Sequence, residues 1–212
     1  WKLTRRVLLN PGSQGGALYE VGLTGPAGAS WEAGALAEII PCNIDGSEGE
    51  DSGGSVPHAP RSYSLASMPH DGELQLLVRQ ERHQGENNGG YGVASGWLTQ
   101  FAPLGGEIRL RLQANPAFAP ALSEVPCIYI GNGSGLAGLR SHLRARRQAG
   151  LARNWLLFGE RQQSADSVCA QELEAWVQDG HLARLDRTFS RDGDHKEYVQ
   201  DRLRSEAAEL RA

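Results

Sequence analysis

In the first half of the chain, apolar and polar residues alternate over short runs, and the alternation resets at clusters of Gly, Pro and Asn. A period of two marks a half-buried strand, which predicts strands over Trp1–Asn10, Ala17–Thr24, Leu36–Pro41, Arg61–Ser67, Glu73–Gln80 and Glu107–Gln113. Many short strands with such turns predict a small antiparallel β-barrel. One helix interrupts it, opened by Ser95 and carrying Trp97, Leu98 and Phe101 on its apolar side. After Pro126 the period changes. The short apolar run Cys127–Ile130 leads through a glycine turn into a helix with Leu136, Leu139 and Leu143 on one face. A strand over Trp155–Phe158, a helix over Ser167–Asp179, a strand over His181–Phe189 and a helix over Lys196–Leu210 follow. Alternation of this kind predicts a parallel sheet covered on both faces. The expectation is two domains, a barrel over 1–122 and an α/β unit over 123–212.

Between them the patterning lapses once. Residues 44–60 are acidic and rich in Gly and Ser, with almost nothing to bury, and read as a mobile surface loop.

Composition narrows the function classes. A net charge of −4 over 212 residues, with 22% charged and 40% hydrophobic, gives no basic excess that would favour nucleic acid. No run approaches the roughly 20 apolar residues that span a bilayer. Cys42, Cys127 and Cys169 are scattered and read as small buried apolar residues in a reduced, cytoplasmic compartment. The six histidines, His58, His70, His83, His142, His181 and His195, show no metal-binding spacing and read as surface or loop residues. Arg140, Arg144 and Arg147 recur on one side of a helix, as a solvated face or one that meets an acidic partner.

Three clusters carry candidate chemistry. Arg61-Ser62-Tyr63-Ser64 combines a fork of donors, a flat ring with a polar tip and small hydroxyls, a set suited to a pyrophosphate and a flavin ring. Gly92-Val93-Ala94-Ser95 puts a glycine beside the start of a helix, where unpaired backbone N–H groups accept an anion. Ser190, Arg191, Lys196, Tyr198 and Gln200 supply cationic and hydroxyl donors for an extra phosphate on an adenosine ribose. Gly131-Asn132-Gly133-Ser134-Gly135-Leu136-Ala137-Gly138 is a literal G-x-G-x-x-G between strand and helix. Glu160, after the next strand, stands where a dinucleotide fold places the acid that binds the ribose of NAD, so NADH is a rival to NADPH. Arg161, Arg191 and Lys196 tip the reading to NADPH.

In this order the motifs resemble the ferredoxin-NADP reductase superfamily, most closely the FAD/NADPH reductase half of diflavin enzymes of the sulfite reductase flavoprotein kind. The resemblance implies that Arg61, Ser62, Tyr63 and Ser64 hold FAD, with Ser64 near the reacting flavin nitrogen, and that Gly92 to Ser95 hold its pyrophosphate. It likewise implies that Gly131, Gly133, Ser134 and Gly135, with Ser190, Arg191, Lys196, Tyr198 and Gln200, hold NADP. The implied activity is hydride transfer from NADPH to FAD, with electrons passed to a flavodoxin-like FMN domain or a haemoprotein. Two departures stand out. The family's glycine turn carries prolines where this chain has Asn132 and Gly138. Members also continue into a further strand ending in Cys-Gly, so the α/β unit is expected to lack its last strand. The alternatives are a non-catalytic flavin-binding module and a flavin-free, NADH-specific dehydrogenase.

Overall fold

The computed structural model describes residues 1–41, 59–83, 90–193 and 196–211. Most of the loop expected over 44–60, together with Cys42, His58 and His195, lies outside them.

The first half forms two antiparallel sheets of three strands each. β1 (Lys2–Leu8), β2 (Leu18–Thr24) and β5 (Leu74–Arg79) make one in the order β1-β2-β5. β3 (Leu36–Ile39), β4 (Arg61–Ser64) and β6 (Leu110–Gln113) make the other in the order β4-β3-β6. Isolated bridges, Lys2 with Glu107 and Leu65 with Leu76, join them at the corners. The expected closed barrel is therefore corrected to two sheets meeting at their corners, with no continuous ring of paired strands among the described residues. Inward positions such as Leu3, Val21, Leu23, Ile39, Leu76 and Val78 are fully buried between the sheets, which is what the period-two pattern requires.

The interrupting helix starts earlier than expected. α1 (Val93–Gly96) opens at Gly92 and runs on into a wider π turn over Trp97–Phe101, so Ser95 lies inside the helix and does not open it. Gly92 can serve as the cap because its backbone is extended (φ −58°, ψ 134°) and nothing projects from its Cα. Trp97 and Leu98 plug the core, while the Arg6 side chain donates to the carbonyls of Leu98 and Ala102, satisfying the far end of the helix.

β7 (Cys127–Asn132), β8 (Asn154–Glu160) and β9 (Leu182–Phe189) form a parallel sheet in that order. Every residue of β8 is buried. Leu156 and Phe158 face α2 (Leu136–Gln148) and α4 (Ala170–Gln178), whereas Trp155 and Leu157 pack on α5 (Val199–Ser205). The helix expected from Ser167 is shorter and preceded by a separate turn, α3 (Gln163–Asp166). The last helix begins at Val199, not Lys196, because the Asp201 carboxylate accepts the Tyr198 N–H at 3.1 Å and closes the first turn there.

The two halves share a core. Leu18, Ala66 and Leu77 from the antiparallel half are buried in one cluster with Leu136, Leu139, Leu156 and Phe158. Around it lies an ion network that corrects the reading of the arginine stripe. Arg140 donates to Glu172 at 2.5 Å, Glu20 at 3.1 Å and Gln75 at 2.9 Å, and Arg144 bridges Asp71 and Glu172. Neither is a solvated or partner-facing group; only Arg147, paired with Asp179, is largely exposed. Asp166 is a second tie, accepting from Asn10 and Ser13 of the first hairpin at 3.0 Å each.

Two histidines also depart from the surface reading. His142 stacks on Phe118 with ring centroids 4.3 Å apart, and its Nε2 lies 3.0 Å from the Phe118 carbonyl oxygen. His181 is buried against Trp176, 2.9 Å from the Leu143 carbonyl oxygen. Burial holds both below the usual imidazole range.

Candidate functional site

Two of the clefts where the halves meet carry the candidate residues. A cavity of about 440 Å³ is lined by Arg61, Ser62 and Tyr63 from β4, by Gly92 to Ser95 from the start of α1, and by Ser134 from the glycine turn. Residues thirty positions apart in the chain thus converge because β4 and β5 adjoin and the chain leaving β5 folds back to α1. The hydrogen bond from Gly92 N–H to the Glu81 carbonyl, 2.9 Å, closes that return.

Arg61 is exposed and donates only to the carbonyls of Ala59 and Pro60 among the described residues, which leaves donors for an anion. Burial pushes the Tyr63 phenol up to about 12, partly offset by Arg61, so the ring is neutral and presents a flat face. A Cβ placed on Gly92 would lie 2.7 Å from Ser95 Oγ and 2.8 Å from Glu81 Cβ, so only glycine fits. Ser95 itself is committed to structure. Its hydroxyl accepts the Glu81 N–H at 3.1 Å and donates to the Gly92 carbonyl at 3.3 Å. Backbone N–H groups at the start of α1, not the serine hydroxyl, are therefore what this turn offers an anion. Ser64 is outside the cavity lining and sits over α2, where its Cβ would be 3.5 Å from a Cβ on Gly138.

A second cleft of about 290 Å³ lies at the carboxyl ends of β7, β8 and β9. Gly133, Ser190, Tyr198 and Gln200 line it. Of the other expected residues, Gly131 is packed beneath Leu139, where a Cβ would meet Leu139 Cδ1 at 2.8 Å, and Gly135 precedes α2 in open space. Arg191 and Lys196 are exposed and flank the cleft without lining it.

Arg79, at the end of β5, lines both clefts and was not singled out by its motif context. It donates to the Gly16 carbonyl at 2.6 Å and lies 3.8 Å from the Glu160 carboxylate. Glu160 ends β8 in the second cleft, nearly buried, with Oε1 unpartnered among the described residues. Burial pushes its carboxyl up to about 7, opposed by Arg79 and reinforced by Asp166. Thr188, on the adjoining strand, is also buried with its hydroxyl unpartnered among the described residues. Strand ends were the available signal: both Arg79 and Glu160 close a strand whose C-terminal end faces a glycine turn.

The geometry defines a protein with two adjoining clefts, one on an antiparallel sheet edge and one at the carboxyl edge of a parallel sheet. No family model matches the chain. Over 158 residues, 73% of its length, it is 37% identical to the sulfite reductase [NADPH] flavoprotein alpha-component of Yersinia pestis. The corresponding proteins of Yersinia enterocolitica and Salmonella typhimurium match the same share at 38% and 37% identity. In each case the match takes in 26% of the relative, so the chain spans about a quarter of the length of the curated relatives it matches.

Proposed function

We propose that the chain is the FAD- and NADPH-binding part of a flavoprotein reductase, with residues 1–122 as the FAD lobe and 123–212 as the NADP lobe. The observation that supports it most is the meeting of Arg61, Ser62 and Tyr63 with Gly92 to Ser95 in one cavity, beside a second cleft holding Ser190, Tyr198 and Gln200. The first cavity suits a flavin nucleotide by its chemistry: a guanidinium, a neutral tyrosine ring and a helix start whose glycine cap has no room for a Cβ.

Arg61 and the N–H groups of Val93 and Ala94 would hold the FAD pyrophosphate, and Tyr63 would cover a ring face. Ser64, standing over α2 beside the cavity, is the candidate nearest the reacting centre. In the second cleft Ser190, Tyr198 and Gln200 would take the adenosine end of NADPH, with Arg191 and Lys196 approaching its 2′-phosphate from the rim. Gly133 and Ser134 would lie along the nucleotide between the clefts. With both bound, the chemistry supplied is hydride transfer from the reduced pyridine to the flavin, followed by single-electron release to an FMN domain or a haemoprotein in the cytoplasm. The protein's own part is to fix the spacing of the two rings and exclude water from between them.

The test is anaerobic addition of NADPH to the purified protein. The expected protein is yellow and bleaches, and Arg61→Ala with Tyr63→Ala is expected to lose its flavin. A yellow protein that stays yellow would leave only a flavin-binding module. Glu160 in the second cleft favours a different reading, a flavin-free NADH dehydrogenase; a colourless protein that binds NADH in preference would establish it.

A further inference from the structure

Glu160 is out of place in a cleft meant for an anion. Its side chain is nearly buried, it faces the cleft occupied by the nucleotide in the proposed reading, and Oε1 has no hydrogen-bond partner among the described residues. Arg79 is the cation opposite it, yet at 3.8 Å the pair forms no hydrogen bond, and one Arg79 nitrogen is already spent on the Gly16 carbonyl. A carboxylate here repels an incoming pyrophosphate and draws Arg79 away from it. A carboxylic acid does neither, and adds an O–H donor to the cleft.

We infer that Glu160 couples nucleotide binding in the second cleft to the uptake of one proton, the carboxylate converting to the acid as the phosphates enter. This rests on the nucleotide-binding reading of that cleft. The balance is simple: one proton leaves the buffer and one carboxylate is neutralised, with no other reactant. The surrounding charges permit it. Arg79 faces Glu160 from β5, Arg161 follows it in the chain, Asp166 approaches from α3, Arg187 acts from β9, and Glu197 and Tyr198 line the same cleft from the segment that begins α5. Asp166 and burial favour the acid, while the arginines favour the carboxylate, so the group is poised near neutrality and an added anion tips it. By linkage, binding then weakens as pH rises through that range.

Titration calorimetry with NADP⁺ near pH 7.5, in two buffers of different ionisation heat, counts the protons. The wild-type protein is expected to take up about half a proton or more per nucleotide beyond Glu160→Gln, and the difference cancels the nucleotide's own phosphate titration. Its affinity is expected to fall about tenfold between pH 6 and pH 8.5 relative to E160Q, a change that a merely structural role would not produce. Glu160→Leu, which removes charge and hydrogen bonding together, should show the same loss of uptake. Equal uptake in wild type and both variants would overturn the coupling while leaving the cleft's assignment intact. Failure of NADP⁺ to bind the wild-type protein at all would overturn both.

Discussion

At the scale of single residues, a few positions are bound by hard contacts. Gly92 is the clearest. Alanine there would drive its methyl into Ser95 Oγ or Glu81 Cβ, and either shift moves the backbone N–H groups offered to an anion. Gly92→Ala is expected to weaken flavin retention roughly tenfold, read by equilibrium dialysis against FAD. A melting temperature within a few degrees of wild type would show that the loss is local, since the cap sits at the cleft surface. Such residues were legible as motif members before any geometry was known. Their roles were less so: Ser95 reads as an anion ligand by type, but its hydroxyl is consumed in tying α1 to the end of β5. Hydroxyl groups satisfy nearby backbone first, and a linear motif does not reveal which partner is close.

At the scale of elements, periodicity located the strands and helices because one face of each is buried and the other is not. β8 is the case where the pattern set the bounds too short, since burial on both faces gives a continuous run with no period to follow, and the strand extends beyond Trp155–Phe158 to Asn154 and Glu160. What charge patterning misled about was α2. Arg140 and Arg144 read as part of a solvated stripe with Arg147 and are tied into the ion network, while Arg146, which the stripe left out, is fully buried and donates to Asn154 and to the carbonyls of Ala121, Ser123, Val125 and Ala152. It fastens the connection between β6 and β7 to the end of the parallel sheet. Carbonyl partners carry no charge and leave no trace in the sequence. Arg146→Met removes every one of those donors at once and is expected to cost about 3–5 kcal/mol in urea unfolding. Flavin affinity of the folded fraction should be unchanged, as Arg146 lines neither cleft.

At the scale of the whole molecule, the two halves are joined by more than a linker. Arg144 on α2 reaches Asp71 in the antiparallel half and Glu172 on α4, and all three side chains are largely buried. Partly desolvated pairs couple more strongly than surface ones. A double-mutant cycle with Arg144→Met and Asp71→Asn is expected to give a coupling on the order of 1–2 kcal/mol in urea unfolding. A value near zero would mean that the two halves are held by apolar packing alone. The switch from antiparallel to parallel sheet was legible from the change of period after Pro126, whereas the shared core was not, because Leu18 and Leu77 look like ordinary inward strand residues.

The clamp formed by Arg146 has a mechanical consequence. Peeling the last residues of the strap between the halves off the parallel sheet would strip a buried guanidinium of its carbonyls, so that stretch travels with the sheet as one piece. Any swing of one groove against the other must then pivot upstream of Ala121 and tear the Arg144 bridge to Asp71.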